Sequence, residues 1–119
     1  MTGSETRNID TPHETRPFKA NGHMDVVTLG DFTLGRGVFE PGWRWSNDVK
    51  PIAGTDQCQV RHTGFCVSGQ MTVRYDDGNE VNVGPGDVVL LEPGHDAWTV
   101  GDVACVILDT GVGAYAKPS

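Results

Sequence analysis

The sequence predicts an all-β fold of one domain, closed into a small barrel or jelly roll. Glycine and proline account for 16 and 7 of the 119 residues, a density typical of short strands joined by tight turns. No segment after Gly22 repeats apolar residues every 3.6 positions over three turns, as an amphipathic helix requires. Closure is the usual way in which such a chain removes exposed strand edges.

The elements follow from composition and turn signals. Segment 1–22 is polar and contains two X-Pro steps, so we interpret it as an N-terminal arm. The barrel is predicted over 23–114 and a C-terminal tail over 115–119. Segment 46–55 has no period and is interpreted as a loop or an irregular edge. The predicted strands are 26–29, 33–39, 57–67, 71–75, 80–83, 88–91, 97–100 and 104–108.

The charge balance and the apolar pattern exclude several partners. The chain has 16 Asp and Glu against 9 Lys and Arg, a net charge of −7, whereas a nucleic-acid binder normally carries a basic face. No apolar run approaches the roughly 20 residues of a membrane span, and the start lacks the pattern of a secretory signal. We therefore expect a soluble, cytoplasmic protein that binds neither nucleic acid nor membranes.

The three cysteines are interpreted separately, because their odd number and the lack of a Cys-x-x-Cys pair argue against a disulfide framework. Cys105 lies in an apolar strand and is predicted to be core. Cys66 either packs in the core or lines a pocket.

One strand carries a set of residues that favours metal binding. Asp56, Cys58 and His62 share one parity, so a regular strand would place them on one face. A carboxylate, a thiolate and an imidazole suit borderline or soft divalent metals. His95 follows the Pro93-Gly94 turn. From the pattern alone, Cys58 and His62 fit a hydrogen-bonded core pair as well as a pair of ligands.

These segments resemble the two motifs of the cupin superfamily, small β-barrels that commonly hold one metal ion. The first motif is His-x-His, three or four residues, Glu, six residues and Gly. Counting back from Gly69 places His62 at the Glu position, Cys58 at the second His and Asp56 at the first.

The second motif resembles the stretch around Gly86-Asp87 and Pro93-Gly94. The histidine position of that motif falls on Ala97, and His95 lies two residues earlier. Segments 41–45, 54–62 and 93–98 are also similar to a subgroup of small stand-alone bacterial cupins, over about residues 26–110.

The resemblance implies the cupin double-stranded β-helix, a homodimer, and an arm that is either disordered or paired with a neighbouring protomer's sheet edge. The long separation of Gly42 from Asp56 indicates an insertion beside the site, which we interpret as a lid or an entrance.

The predicted metal ligands are Cys58, His62 and His95, because a thiolate and two imidazoles with an open fourth position form a common catalytic zinc arrangement. Zinc is favoured over iron. Asp56 is a candidate to complete the ligand shell or orient a water, and Asp96 to orient His95 or cap the turn. The candidate substrate-binding residues are Trp43, Trp45, Trp98, Arg74 and Cys66. For the tryptophans and Cys66, the alternative is that they pack in the core.

The main hypothesis is a metal-binding cupin that acts on a small organic molecule inside the barrel. Oxygenase, isomerase, lyase and hydration chemistry all remain compatible with the sequence. The alternative is a non-catalytic small-ligand sensor or binding module of the same fold. A third possibility is a metal-free barrel in which Cys58 and His62 are packed polar residues.

Overall fold

Nine strands form two antiparallel sheets in the part of the chain that the computed structural model describes, residues 3–113 and 115–117. The strands are β1 (Glu14–Pro17), β2 (Gly22–Leu29), β3 (Phe32–Phe39), β4 (His62–Ser68), β5 (Gln70–Tyr75), β6 (Glu80–Val83), β7 (Val88–Leu91), β8 (His95–Val100) and β9 (Cys105–Asp109). One sheet has the order β1-β2-β3-β9-β4-β7 and the other the order β6-β5-β8. The inward side chains of both sheets form one core.

This architecture confirms the predicted all-β jelly roll. The corner at Gly69, between β4 and β5, has a positive φ of 75° that disfavours other residues. A Cβ atom there would lie 2.2 Å from the carbonyl oxygen of Ala104. The glycine that anchored the motif comparison therefore sits where the two sheets meet and no side chain fits.

The polar segment interpreted as an arm contributes a strand that the sequence did not predict. β1 pairs antiparallel with β2 of the same chain. Backbone pairing on a sheet edge needs few apolar side chains, so composition gave no signal for it. Residues 1, 2, 114, 118 and 119, which belong to the predicted arm, barrel end and tail, lie outside the described residues.

A buried arginine joins this strand to the end of the chain. The Arg16 guanidinium donates to the carbonyl oxygens of Val112, Gly113 and Tyr115, at 3.4, 2.8 and 3.0 Å. Tyr115 and Ala116, in the predicted tail, are buried. The segment after β9 is thus packed onto the barrel.

The segment interpreted as an irregular loop forms two short helices, α1 (Trp45–Asp48) and α2 (Lys50–Ala53). Helices of four residues are too short to display an apolar period, so the interpretation was wrong for a physical reason. Gly54, with a φ of 77°, ends α2. No helix among the described residues has the length and apolar character to cross a bilayer.

Candidate metal centre

Three buried side chains converge inside the barrel. The Cys58 sulfur and one ring nitrogen each of His62 and His95 lie within 4.8 Å of one another. The Cys58 Sγ and His62 Nε2 atoms are 3.4 Å apart. His62 begins β4, His95 begins β8, and Cys58 lies in the connection that precedes β4. The structure therefore brings together the three residues predicted as ligands.

Cys58 and His95 are held by the same pair of backbone segments. The Cys58 N–H donates to the His95 carbonyl at 2.8 Å, and the Gly94 N–H donates to the Cys58 carbonyl at 2.7 Å. The His95 Nδ1 atom lies 2.7 Å from the Glu92 carbonyl oxygen, which can only accept. The proton is therefore on Nδ1, so in the neutral imidazole Nε2 is the nitrogen that could bind a metal.

His62 is oriented by a buried carboxylate. Its Nδ1 atom donates to Asp109 Oδ2 at 2.5 Å. The other carboxylate oxygen accepts from the backbone N–H groups of Thr63 and Gly111, at 3.2 and 2.7 Å. Because Asp109 is fixed by these bonds, it directs His62 Nε2 towards the thiol, as carboxylates do for many histidine ligands of metals.

The three groups shift the pKa of the thiol and of one imidazole in opposite directions. Burial opposes ionisation of Cys58, but hydrogen bonds and charge from His62 and His95 outweigh it and lower its pKa from 9.0 to about 6. Burial also opposes protonation of His62, but Asp109 and Cys58 raise its pKa from 6.5 to about 9. Without an ion, the pair is a thiolate beside an imidazolium at neutral pH.

The separation of one donor pair matches that expected around a tetrahedral metal ion such as zinc. Zinc–sulfur and zinc–nitrogen bonds of about 2.3 and 2.05 Å at a tetrahedral angle place the two ligand atoms about 3.6 Å apart. The observed separation of Cys58 Sγ and His62 Nε2 is 3.4 Å. One thiolate and two imidazoles also leave a fourth position free.

The order thiol, imidazole, carboxylate is also that of an activated cysteine nucleophile. Cys58, His62 and Asp109 satisfy its two contacts. A nucleophile of this kind needs one imidazole beside the sulfur, whereas a metal ion needs at least a third ligand, which His95 can supply. The position of His95 therefore favours metal binding.

The metal centre lies between an internal cavity and a surface pocket. The cavity, which His62 and His95 help to line, offers about 30 Å³ to the centres of water molecules, enough for about two waters. The surface pocket offers about 200 Å³ and is lined by Cys58. Trp45 and Tyr115 line both spaces.

The predicted catalytic carboxylates do not point at the centre. The Asp56 side chain is 100 % exposed and lies 3.4 Å from Lys50. Asp56 would share the face of His62 only if a regular strand began at Gln57. The strand β4 begins only at His62, so Asp56 is not held on that face.

Asp96 bonds to the backbone rather than to the imidazole beside it in sequence. Its Oδ1 accepts from the N–H groups of Ser46 and Ala97, at 3.0 and 2.9 Å. Neighbouring residues of a strand point to opposite faces, so Asp96 lies away from His95. It holds α1 against β8, and the Glu92 carbonyl orients His95.

The three tryptophans divide into two groups. Trp43 and Trp45 are buried and line the internal cavity. Trp98 is on the face of β8 opposite to His95, and its ring stacks under the Arg44 guanidinium at 4.5 Å.

Two further candidates lie elsewhere. Arg74 is exposed on β5, opposite Asp96 in the register. Cys66 is buried with its sulfur 4.0 Å from that of Cys105, so it packs in the core.

Two residues of the centre were missed from the sequence. Asp109 shares the inward parity of Cys105 and Ile107, and an acid at such a position was the available signal. Tyr115 packs edge-on against His62, with ring centroids 5.0 Å apart. It follows the last strand, and no periodicity marks it as buried.

We expect the metal-free protein to react with iodoacetamide at Cys58 with a half-maximal rate near pH 6, because the thiolate forms above its pKa of about 6. Burial raises the pKa of Cys66 and Cys105, so these thiols should stay unlabelled. Peptide mass spectrometry across a pH series measures this. Labelling of Cys58 that rises only above pH ~8 would contradict the geometry.

Two antiparallel sheets of a double-stranded β-helix, with a Cys-His-His group inside, define a small stand-alone cupin. The model of the EutQ-like cupin domain matches residues 47–109, and the chain belongs to this family. No curated protein matches the chain.

Solved structures share the fold at low identity. KdgF from Halomonas sp. is 21 % identical, with a TM-score of 0.58, over 92 % of this chain and 94 % of that one. A protein of unknown function from Rhizobium leguminosarum bv. viciae 3841 is 20 % identical, with a TM-score of 0.58, over 90 % and 95 %. Ectoine synthase from P. lautus is 12 % identical, with a TM-score of 0.58, over 91 % and 78 %.

Proposed function

We propose that this protein is a zinc-dependent cupin enzyme that acts on a small organic molecule. The convergence of Cys58, His62 and His95 carries the proposal. A zinc ion on these ligands would polarise a substrate oxygen or lower the pKa of a bound water. A thiolate with two imidazoles suits zinc better than iron, whose oxygenase sites typically use two histidines and a carboxylate.

The ligand set also narrows the reaction class. Zinc has no redox chemistry, so it supports an isomerase, lyase or hydration reaction rather than an oxygen-dependent oxidation. In such a reaction Asp109 keeps His62 in its ligating tautomer, and the Glu92 carbonyl does the same for His95. The name of ectoine synthase indicates that this fold supports synthesis of a small molecule.

Elemental analysis of the purified protein tests the metal. We expect about one zinc per chain, and loss of the zinc on treatment with a chelator. Zinc below about 0.2 per chain, after growth with zinc and without chelator, would overturn the proposal.

A sensor or binding module is the second candidate. The placement of Asp56 and Asp96 away from the centre favours it, because neither can act as an acid or base on a ligand there. Turnover that returns with added zinc supports the enzyme. Tight ligand binding without turnover of any candidate supports the sensor.

We also propose that the protein forms a homodimer through the outer face of β4 and β7. β7 is an edge strand of the six-stranded sheet, with its outer backbone groups unpaired by the described strands. Val88 and Leu90 are 84 % and 57 % exposed there, beside Phe65 and Val67. Packing of this face against the same face of a second copy, about a twofold axis, would cover these apolar side chains.

Leu90→Lys is expected to convert the dimer to a monomer, because it places a charge in the apolar contact. Val103→Lys, an equally exposed site on the turn before β9, is the matched control that should stay dimeric. Light scattering measures the mass. A monomeric wild-type protein at high concentration, or an unchanged variant, would contradict this interface.

The three cysteines are free thiols, which supports a reducing compartment, and we propose the cytoplasm.

A further inference from the structure

Among the described residues, three buried donors have no acceptor: Arg16 Nε and the indole Nε1 atoms of Trp43 and Trp45. Trp43 and Trp45 are each only 2 % exposed. Among the residues that the structure describes, no hydrogen-bond partner is found for the Nε1 atom of either ring. Buried N–H groups are almost always paired, so these two indole groups point to a partner outside the described residues, such as a water or a ligand.

The internal cavity is where such a partner fits. Both tryptophans line it, together with His62 and His95. Among the described residues that line the cavity, Asp109 is the only one with a carboxylate. It already accepts hydrogen bonds from His62 and from two backbone N–H groups. Apart from the Tyr115 hydroxyl, the other lining side chains offer no oxygen acceptor. Most of them are apolar, among them Met24, Phe39, Met71, Val73, Val89, Leu91 and Ile107.

The size of the two spaces limits the partner. The cavity offers about 30 Å³, enough for the two oxygens of one carboxylate in place of about two waters. The adjoining surface pocket of about 200 Å³ is largely apolar, with Val49, Ala53 and Val60 in its lining. A molecule with a compact oxygen-bearing head group in the cavity and a short apolar chain in the pocket would fit both spaces. Its chain would run past Trp45 and Tyr115, which line both.

We propose that the indole N–H groups of Trp43 and Trp45 form a subsite beside the candidate metal centre. There they donate hydrogen bonds to the carboxylate oxygens of a small aliphatic acid. This inference rests on the proposed function, since it places the head group against the metal-binding histidines. It names the substrate class that the ligands alone leave open. The two donors fix the head group while the apolar pocket holds the short chain of the acid.

Butyrate is the probe, with butyramide and butanol for comparison. Its binding to the zinc-loaded protein is followed by calorimetry and by the indole Nε1–H resonances in nitrogen-15 NMR spectra. The Trp98→Phe variant serves as the background, because Trp98 lies on the outer face and its removal leaves only the two indole signals of interest. We expect both signals to shift with butyrate, butyramide to bind more weakly, and butanol not to bind.

Trp43→Phe and Trp45→Phe each remove one donor and keep a ring. Each should weaken butyrate binding by about tenfold, the worth of one hydrogen bond, without lowering the zinc content. An unchanged butyrate affinity in both variants, or indole signals that butyrate does not shift, would overturn the subsite. The two indole N–H groups would then be hydrogen-bonded to water. If the variants do not fold, the resonances of the Trp98→Phe protein alone decide.

Failure of the subsite is distinct from failure of the metal proposal. A protein that binds zinc but not butyrate overturns only the subsite. A protein that binds no zinc, yet still shifts both indole signals with butyrate, overturns the metal proposal and supports the two donors.

Discussion

Replacing Cys58 by alanine is expected to lower the zinc affinity by more than about 100-fold, because partners that only orient a ligand already contribute about 10- to 100-fold. The substitution removes the one anionic ligand and leaves two neutral imidazoles. Competition with a chromophoric chelator measures the affinity. The fold should persist, since Cys58 lies outside the strands and forms its bridge to His95 through backbone groups.

The other cysteines are the matched controls. Cys66→Ala and Cys105→Ala also remove buried thiols, but their sulfurs contact each other and not the histidines. They should change the free energy of unfolding and leave the zinc affinity unchanged. Equal zinc affinity in the wild type and in Cys58→Ala would show that the thiol is not a ligand.

Asp109→Asn is expected to lower the zinc affinity by about 10- to 100-fold without removing any ligand. The neutral amide makes His62 less basic and no longer fixes its tautomer, because the amide nitrogen can face the ring. In the metal-free protein, the same change should lower the free energy of unfolding by about 3 kcal/mol, since it breaks a buried charged pair. Chelator competition and urea unfolding measure the two effects.

Asp48→Asn separates positioning from simple loss of stability. Asp48 is equally buried, and its carboxylate accepts from Asn21 Nδ2 and the Arg44 N–H at 3.2 and 3.1 Å, away from the centre. This variant should lose stability and keep the zinc affinity of the wild type. If both variants lose zinc affinity equally, Asp109 has no specific role in orienting His62.

The fold was predictable because its signals are local. Turn glycines and alternating apolar residues mark strands wherever one face is buried, as at 71–75 and 80–83. β1 carried no such signal because it is a polar edge strand held by its backbone and by Arg16. The helices α1 and α2 were missed because four residues do not complete a period.

The three converging side chains of the candidate site were predictable from the sequence, and the groups that support them were not. His62 and His95 were found from parity and from the turn before β8. Cys58 was predicted to share the face of His62 on one strand, but the strand β4 does not extend to Cys58. Its backbone bridge to His95 holds it beside the histidines instead. The same argument failed for Asp56, two residues farther from β4, where the chain has already turned towards solvent. Asp109 supports the centre from a strand far along the chain, a relation that no local pattern encodes.

The three ligands belong to both halves of the barrel. His62 starts a strand of the six-stranded sheet, while His95 starts a strand of the three-stranded sheet and carries Cys58 on its backbone bridge. A zinc ion on them is therefore a cross-link between the sheets, and the sheets cannot separate until at least one bond to the ion breaks. In the proposed zinc-loaded protein, unfolding would then wait for release of the ion, so the lifetime of the folded state would depend on the free zinc concentration.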